Sequence, residues 1–212
     1  MTVNELIDVV RTDYGFIDKT SAQALVGINA AYWDVCARHN WPFLNTSTSI
    51  NTVASTAALT LPSDFHSVKS VTIPASRIKL EPEEMDWLLL RYYDLTIEGR
   101  PEYYYFDGDV LKLYPEPDGV YSVFMQYKKW PAALAAGGAE NTVVIPPRHH
   151  EVLCLGGAYR MMEKDDDRFD NTKALYEERI TFMNADLGMK QMDRPKRIYM
   201  MGDEEWLDPV GF

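Results

Sequence analysis

The chain has 212 residues, 46% hydrophobic and 12% aromatic, enough to bury the core of about one to two domains; this excludes global disorder. Its net charge of −11, from 21 Lys and Arg against 32 Asp and Glu, excludes a protein that grips a phosphate backbone, since that requires clustered cations to displace counterions. Two cysteines, Cys36 and Cys154, form neither a CxxC pair nor a zinc spacing and read as buried free thiols of a reducing compartment.

The N-terminal stretch "MTVNELIDVVRTDYG" lacks the basic and continuous apolar regions of a signal peptide. No run in the chain approaches the roughly 20 apolar residues of a membrane span, so cytosolic synthesis is expected and the sequon at Asn45 goes unused. Thr2 and Glu5 match a capping box, and Leu6, Val9 and Val10 follow as a short amphipathic helix that ends near Gly15. A stronger helix begins after Lys19, capped by Thr20 or Ser21, with Leu25, Ile28, Tyr32, Val35 and Cys36 on one stripe. Pro42 in "NWPFL" stops it.

From Thr46 to Val144 the chain breaks into short β-branched and aromatic runs separated by Pro, Gly, Asp and Ser, the pattern of several antiparallel strands. One helix interrupts them, "EPEEMDWLLLRYYD", with Pro82 tolerated in its first turn and Glu83 and Glu84 at the positive end of its dipole. "PAALAAGGAENT" (131–142) reads as a small-residue linker. Helix returns at "PPRHHEVLCLGGAYRMMEKD", with Val152, Leu155, Tyr159 and Met162 on its stripe. After an acidic turn comes "TKALYEERITFMNADLGMK", with Tyr176, Ile180, Met183 and Leu187 in register; the two make a helical hairpin. The last stretch, 193–212, has no period and reads as an extended tail. The expected fold class is α+β: an antiparallel helical bundle from 1–44 and 143–192, an inserted antiparallel β domain over 45–142, and the C-terminal tail.

Catalytic signatures are missing. His149 and His150 are adjacent, so they point about 100° apart on a helix and cannot ligate one metal as HExxH does; they read as a surface where the helix starts. Asp165, Asp166, Asp167 and Asp170 lack the order of a calcium loop and read as a solvated turn, with Asp170 capping the next helix. Gly156 and Gly157 lie inside a predicted helix and point to close packing of a neighbouring helix rather than a phosphate cradle. With no nucleophile motif, P-loop or dinucleotide fingerprint, neither catalysis, a metal nor a cofactor is expected.

Two stretches carry interaction signals. In "GRPEYYYFDGDVLKLYPEPDG", Asp107–Gly108 suggests a type I′ hairpin turn. Tyr103 and Tyr105 then share one face opposite Tyr104 and Phe106, while Leu111 and Leu113 oppose Val110, Lys112 and Tyr114. Both faces are apolar, so each needs a cover: the chain's own helices, a second sheet, or a neighbouring subunit. A stacking platform for a sugar or base is the other reading. In the tail, Tyr199, Met200, Met201, Trp206, Leu207 and Phe212 are large apolar side chains with no local periodicity to bury them. They must cover a partner or fold back on their own domain.

The ordered set "INAAYWDVCARHNWPFL", "LPSDF", "GRPEYYYFDGDVLKLYPEPDGVYSVFMQYKKWP" and "IPPRHHEVLCLGGAYRMMEKDDDRFDNTKALYEERI" resembles the head-to-tail adaptor (connector) proteins of tailed bacteriophages over about residues 2–187. The resemblance implies a structural virion protein, assembled in the host cytoplasm as a ring of about twelve subunits closed by head-to-tail contacts. Its expected partners are the portal protein, a tail or nozzle protein, and further copies of itself. DNA would pass through an acidic channel without specific binding, and no membrane is involved. By this resemblance Tyr199, Met200, Trp206, Leu207 and Phe212 would contact the portal, and Tyr103, Tyr104, Tyr105 and Tyr114 a neighbouring subunit or the tail. The alternative is a carbohydrate- or receptor-binding module built on the tyrosine-rich strands.

Overall fold

A computed structural model describes residues 1–137 and 143–192. The described residues are α+β, with five α-helices and a curled mixed sheet. The helices follow from local rules. In α1 (Val3–Thr12), Thr2 Oγ1 accepts the N–H of Glu5 at 3.2 Å and the Glu5 carboxylate accepts the N–H of Thr2 at 3.0 Å. Thr20 and Gln23 repeat this capping box at the start of α2 (Ser21–Arg38). The expected stripes of α2, α4 (Glu151–Met161) and α5 (Phe169–Met192) turn inward: Ile28, Tyr32, Val35, Val152, Leu155, Tyr176, Ile180, Met183 and Leu187 are all buried. Together with α1, Trp41, Leu44, Leu134 and Ile145 they form a single hydrophobic cluster.

Glycine sets the spacing within that cluster. A Cβ on Gly156 would stand 2.6 Å from the Ala31 Cβ and 2.6 Å from the Tyr176 ring. One on Gly157 would meet Ile28 at 2.9 Å, and one on Gly27 would meet the Gly157 carbonyl oxygen at 2.9 Å. The backbones of α2 and α4 therefore touch, as the paired glycines suggested. Beside this contact, Asp34 on α2 ties three helices together. Its Oδ2 accepts from Arg160 Nη2 (2.9 Å), Arg38 Nη2 (2.9 Å) and the Tyr176 hydroxyl (2.7 Å), and Arg38 continues to Glu177. Burial works to raise the Asp34 carboxyl, but the hydrogen bonds from Arg38, Tyr176 and Arg160 outweigh it and hold it below the usual carboxylate range.

The sheet is built from β1 (Asn45–Asn51), β2 (Ala58–Leu59), β3 (Phe65–Ile73), β4 (Ile78–Pro82), β6 (Tyr103–Asp107), β7 (Val110–Tyr114) and β9 (Ser122–Lys129), in the order β1-β9-β3-β4-β6-β7-β2. The short strands β5 (Glu98–Gly99) and β8 (Glu116–Pro117) pair separately. Contrary to the antiparallel expectation, β4–β6 and β5–β8 are parallel pairs. The cause is α3 (Met85–Tyr92), which lies in the chain between β4 and β6: a helical crossover returns the chain to the end it started from, so the two strands run the same way.

Four local expectations need correction. Pro82 closes β4 instead of opening α3, because it pairs opposite Tyr104 while the helix starts at Met85. Asp166, not Asp170, accepts the N–H of Arg168 ahead of α5, at 2.9 Å. The histidines are buried: the turn Pro147–His149 swings His149 onto Asp186 at 2.9 Å, and His150 Nε2 donates to the Ile145 carbonyl at 2.9 Å. Burial lowers the pKa of His150. The 131–142 stretch is partly structural, since Asn29 on α2 clamps both the N–H and the carbonyl of Leu134, at 2.7 and 3.0 Å. Cys36 and Cys154 are free and buried as expected, and burial pushes both thiols up to about 12.

Two stability measurements test this account. Gly156→Ala should lose about 1–3 kcal/mol in urea denaturation, because neither Ala31 nor the packed Tyr176 ring can give way; Gly119→Ala, where nothing lies within 4 Å, should stay within about 0.5 kcal/mol of the parent. Asp34→Asn should cost about 1–3 kcal/mol at neutral pH. The Asp34 pKa is depressed on folding, so this gap should be full above about pH 4 and close as pH falls through the lower native value. A gap that persists unchanged at pH 2.5 would contradict the assigned network.

Candidate interaction surface

The tyrosine-rich hairpin is β6–β7, and its register separates the two faces. Tyr104 stands opposite Leu113 and Phe106 opposite Leu111; Tyr103 stands opposite Tyr114 and Tyr105 opposite Lys112. Asp107 pairs with Val110, so Gly108 and Asp109 form the turn, with φ of +61° at Gly108. Glycine first, with one positive φ, fits a type II′ turn, one residue later than the type I′ turn expected.

Both faces are covered by this same chain along most of the hairpin, with Phe106 and Val110 left exposed near its turn. Tyr104, Leu111 and Leu113 join Val71, Leu80, Val123 and Met125 in one cluster. On the other side α3 lies over the sheet and, with Leu95 just after it, packs Leu88, Trp87 and Tyr92 against Tyr103, Tyr105 and Tyr114. Ring centroids are 4.9 Å apart for Tyr92–Tyr114 and 6.0 Å for Trp87–Tyr103, and the Arg91 guanidinium sits 5.1 Å from the Trp87 ring. Tyr104 and Tyr105 are only 5% exposed and Tyr114 only 2%. Three of the four tyrosines read as contact residues thus have almost no surface left to offer; Tyr103 is half-buried.

What the hairpin does not present, its cover does. Leu90 and Tyr93 are 80% and 89% exposed, with Met85, Leu89 and Ile97 also exposed around the same helix. Tyr93 caps α3 in the left-handed conformation, φ +57°, which turns its ring outward from the end of the helix. The signal was present in "WLLL": residues 100° apart cannot all face inward, so of Leu88, Leu89 and Leu90 at least one had to face solvent.

A second surface opens in the sheet. β3 meets β4 only over Val71–Ile73, and β4 meets β6 only at Glu81 and Pro82. Beyond Pro82 the flanking halves of β3 and β6 separate around a cleft of about 700 Å³ lined by Leu61, Phe65, Val68, Tyr104 and Phe106. Its lining is mainly apolar, with Phe65 and Phe106 6.2 Å apart. Among the described residues no three His, Cys, Asp or Glu side chains gather as metal ligands, and no helix is long and apolar enough to cross a membrane. Tyr199, Met200, Trp206, Leu207 and Phe212 lie outside the described residues.

Exposed apolar helix faces on an α+β scaffold suit a protein that works by contact with other proteins. The family model described as SU10 adaptor protein matches residues 1–210, nearly the whole chain. The chain belongs to this family of phage head–tail adaptors, which makes it a bacteriophage structural protein associated with portal and tail proteins. No curated protein matches the sequence.

The outward position of Leu90 is directly testable. Leu90→Asn should leave thermal stability within about 0.5 kcal/mol, whereas Leu88→Ala, two positions earlier and fully buried, should cost about 2–5 kcal/mol. Equal losses at the two positions would contradict the placement of α3.

Proposed function

We propose that this protein forms a ring of about twelve subunits between the portal and the tail or nozzle of a tailed phage, continuing the DNA channel without catalysis. The observation that carries the reading is the adaptor-family match across residues 1–210. The helical segments 1–44 and 143–192 act as one unit, the β-rich segment 45–142 projects from it, and residues 193–212 reach the portal. Acidic side chains of α4 and α5 face the channel, where the net charge of −11 keeps DNA from binding.

In this reading, contact with a neighbouring subunit or the tail falls to the outer face of α3, through Leu90 and Tyr93, with Tyr103 at its edge. Tyr105 and Tyr114 support that face from beneath, while Tyr104 packs on the opposite face of the sheet. Portal contact falls to Tyr199, Met200, Trp206, Leu207 and Phe212. Against the carbohydrate- or receptor-binding alternative stands the packing of Tyr104, Tyr105 and Tyr114 into the sheet or under α3.

Truncation after Arg197 tests the portal assignment. The shortened chain should keep the melting temperature of the full chain but fail to co-sediment with portal particles. Undiminished co-sedimentation would remove the tail from the mechanism.

A further inference from the structure

The outer edge of the sheet is unusual for a protein that guards against self-pairing. β1 reads Asn-Thr-Ser-Thr-Ser-Ile-Asn and carries no charge, although 25% of the chain is charged. It has no proline, and it runs through seven consecutive pairs with β9 without a bulge. Among the described residues, no strand pairs with its other side. The usual protections of an edge strand, which are lysine, proline, a bulge or short length, are all missing.

Two further features say what fits there. First, β1 is nearly palindromic: read backward it is Asn-Ile-Ser-Thr-Ser-Thr-Asn, the only change being an exchange of the β-branched residues Thr46 and Ile50. Second, the free hydrogen-bonding groups match the palindrome. Just beyond the strand, the N–H of Thr52 donates to the carbonyl of Tyr121 at 2.9 Å. Bonding alternates along an antiparallel pair, so Thr46, Thr48 and Ile50 are satisfied by β9 while Ser47, Ser49 and Asn51 aim their N–H and C=O groups, and Asn45 its C=O, at the open edge; the Asn45 N–H donates to the Pro42 carbonyl.

We propose that the edge of β1 pairs antiparallel with β1 of a second copy of this chain, about a two-fold axis through Thr48. In that register Asn45 faces Asn51 of the second copy and Ser47 faces Ser49, so every outward N–H finds a carbonyl, about six hydrogen bonds in all. Thr46 faces Ile50, and Thr48 faces itself in a non-bonded pair with Cα atoms about 4.5 Å apart. The exposed side chains stay on one face and the half-buried ones on the other. Such a contact is isologous, whereas a closed ring uses head-to-tail contacts. The pair is therefore a state of the free protein, and it stands whether or not the ring does.

The test uses the full chain with single cysteines, since Cys36 and Cys154 are buried. Thr48→Cys should cross-link to itself under mild oxidation, because its Cα separation lies within the disulfide range of about 4.4–6.8 Å. Ser47→Cys alone should cross-link at least tenfold less, and should cross-link efficiently when mixed with Ser49→Cys. In sedimentation the parent should approach twice the monomer mass as concentration rises, and Ser47→Lys, on the exposed face, should stay monomeric with unchanged circular dichroism. A parent that is monomeric throughout, or equal self-linking at positions 47 and 48, would overturn the proposal.

Discussion

Direct backbone contact between α2 and α4 is the constraint on which the rest of the molecule depends. Gly27, Gly156 and Gly157 let the two helices approach until side chains of one touch the main chain of the other. That approach joins helices separated in sequence by the whole β-rich segment, and so brings the two ends of that segment to one place. It also sets Asp34 within reach of Arg160 and Tyr176, so a charged network seals the rim of the contact. The network spans all three helices: Asp34 on α2 accepts from Arg160 on α4 and from Tyr176 on α5.

The β-rich segment solves a different problem. Its hairpin is aromatic on both faces, and a strand pair cannot leave both faces in water. The chain answers with α3, whose crossover makes β4 and β6 parallel and lays an apolar helix over the tyrosines. Burying one aromatic face in this way exposes another: α3 is apolar nearly all round, so its outer residues Leu90 and Tyr93 face solvent. The surface available to partners is thus displaced from the hairpin to the helix that covers it.

Much of this was legible in the residues alone. Capping boxes at Thr2 and Thr20, the buried stripes of α2, α4 and α5, and the meaning of the glycine pair all follow from short-range rules. The two-faced hairpin was equally readable, but not the identity of its cover, since alternation tells which faces are apolar and not what lies against them. The parallel pairing was missed because the helix between β4 and β6 was read as an interruption rather than a crossover. The histidines were misplaced because their direction depends on a single 3-10 turn at Pro147, which adjacency in sequence does not reveal. The family resemblance rested on the order of soft motifs, and the adaptor match over residues 1–210 establishes it.

Self-contained cover for the hairpin means that the β-rich segment does not wait for a neighbour to cover its tyrosines; in the proposed ring, copies would meet through surfaces left on a finished molecule. Electron microscopy of portal particles mixed with the purified full-length chain tests the adaptor reading most directly. The account predicts a closed ring of added density beneath the portal, coaxial with its channel, with an open passage through the centre. Density absent from the portal, or scattered around its sides without a ring, would contradict it.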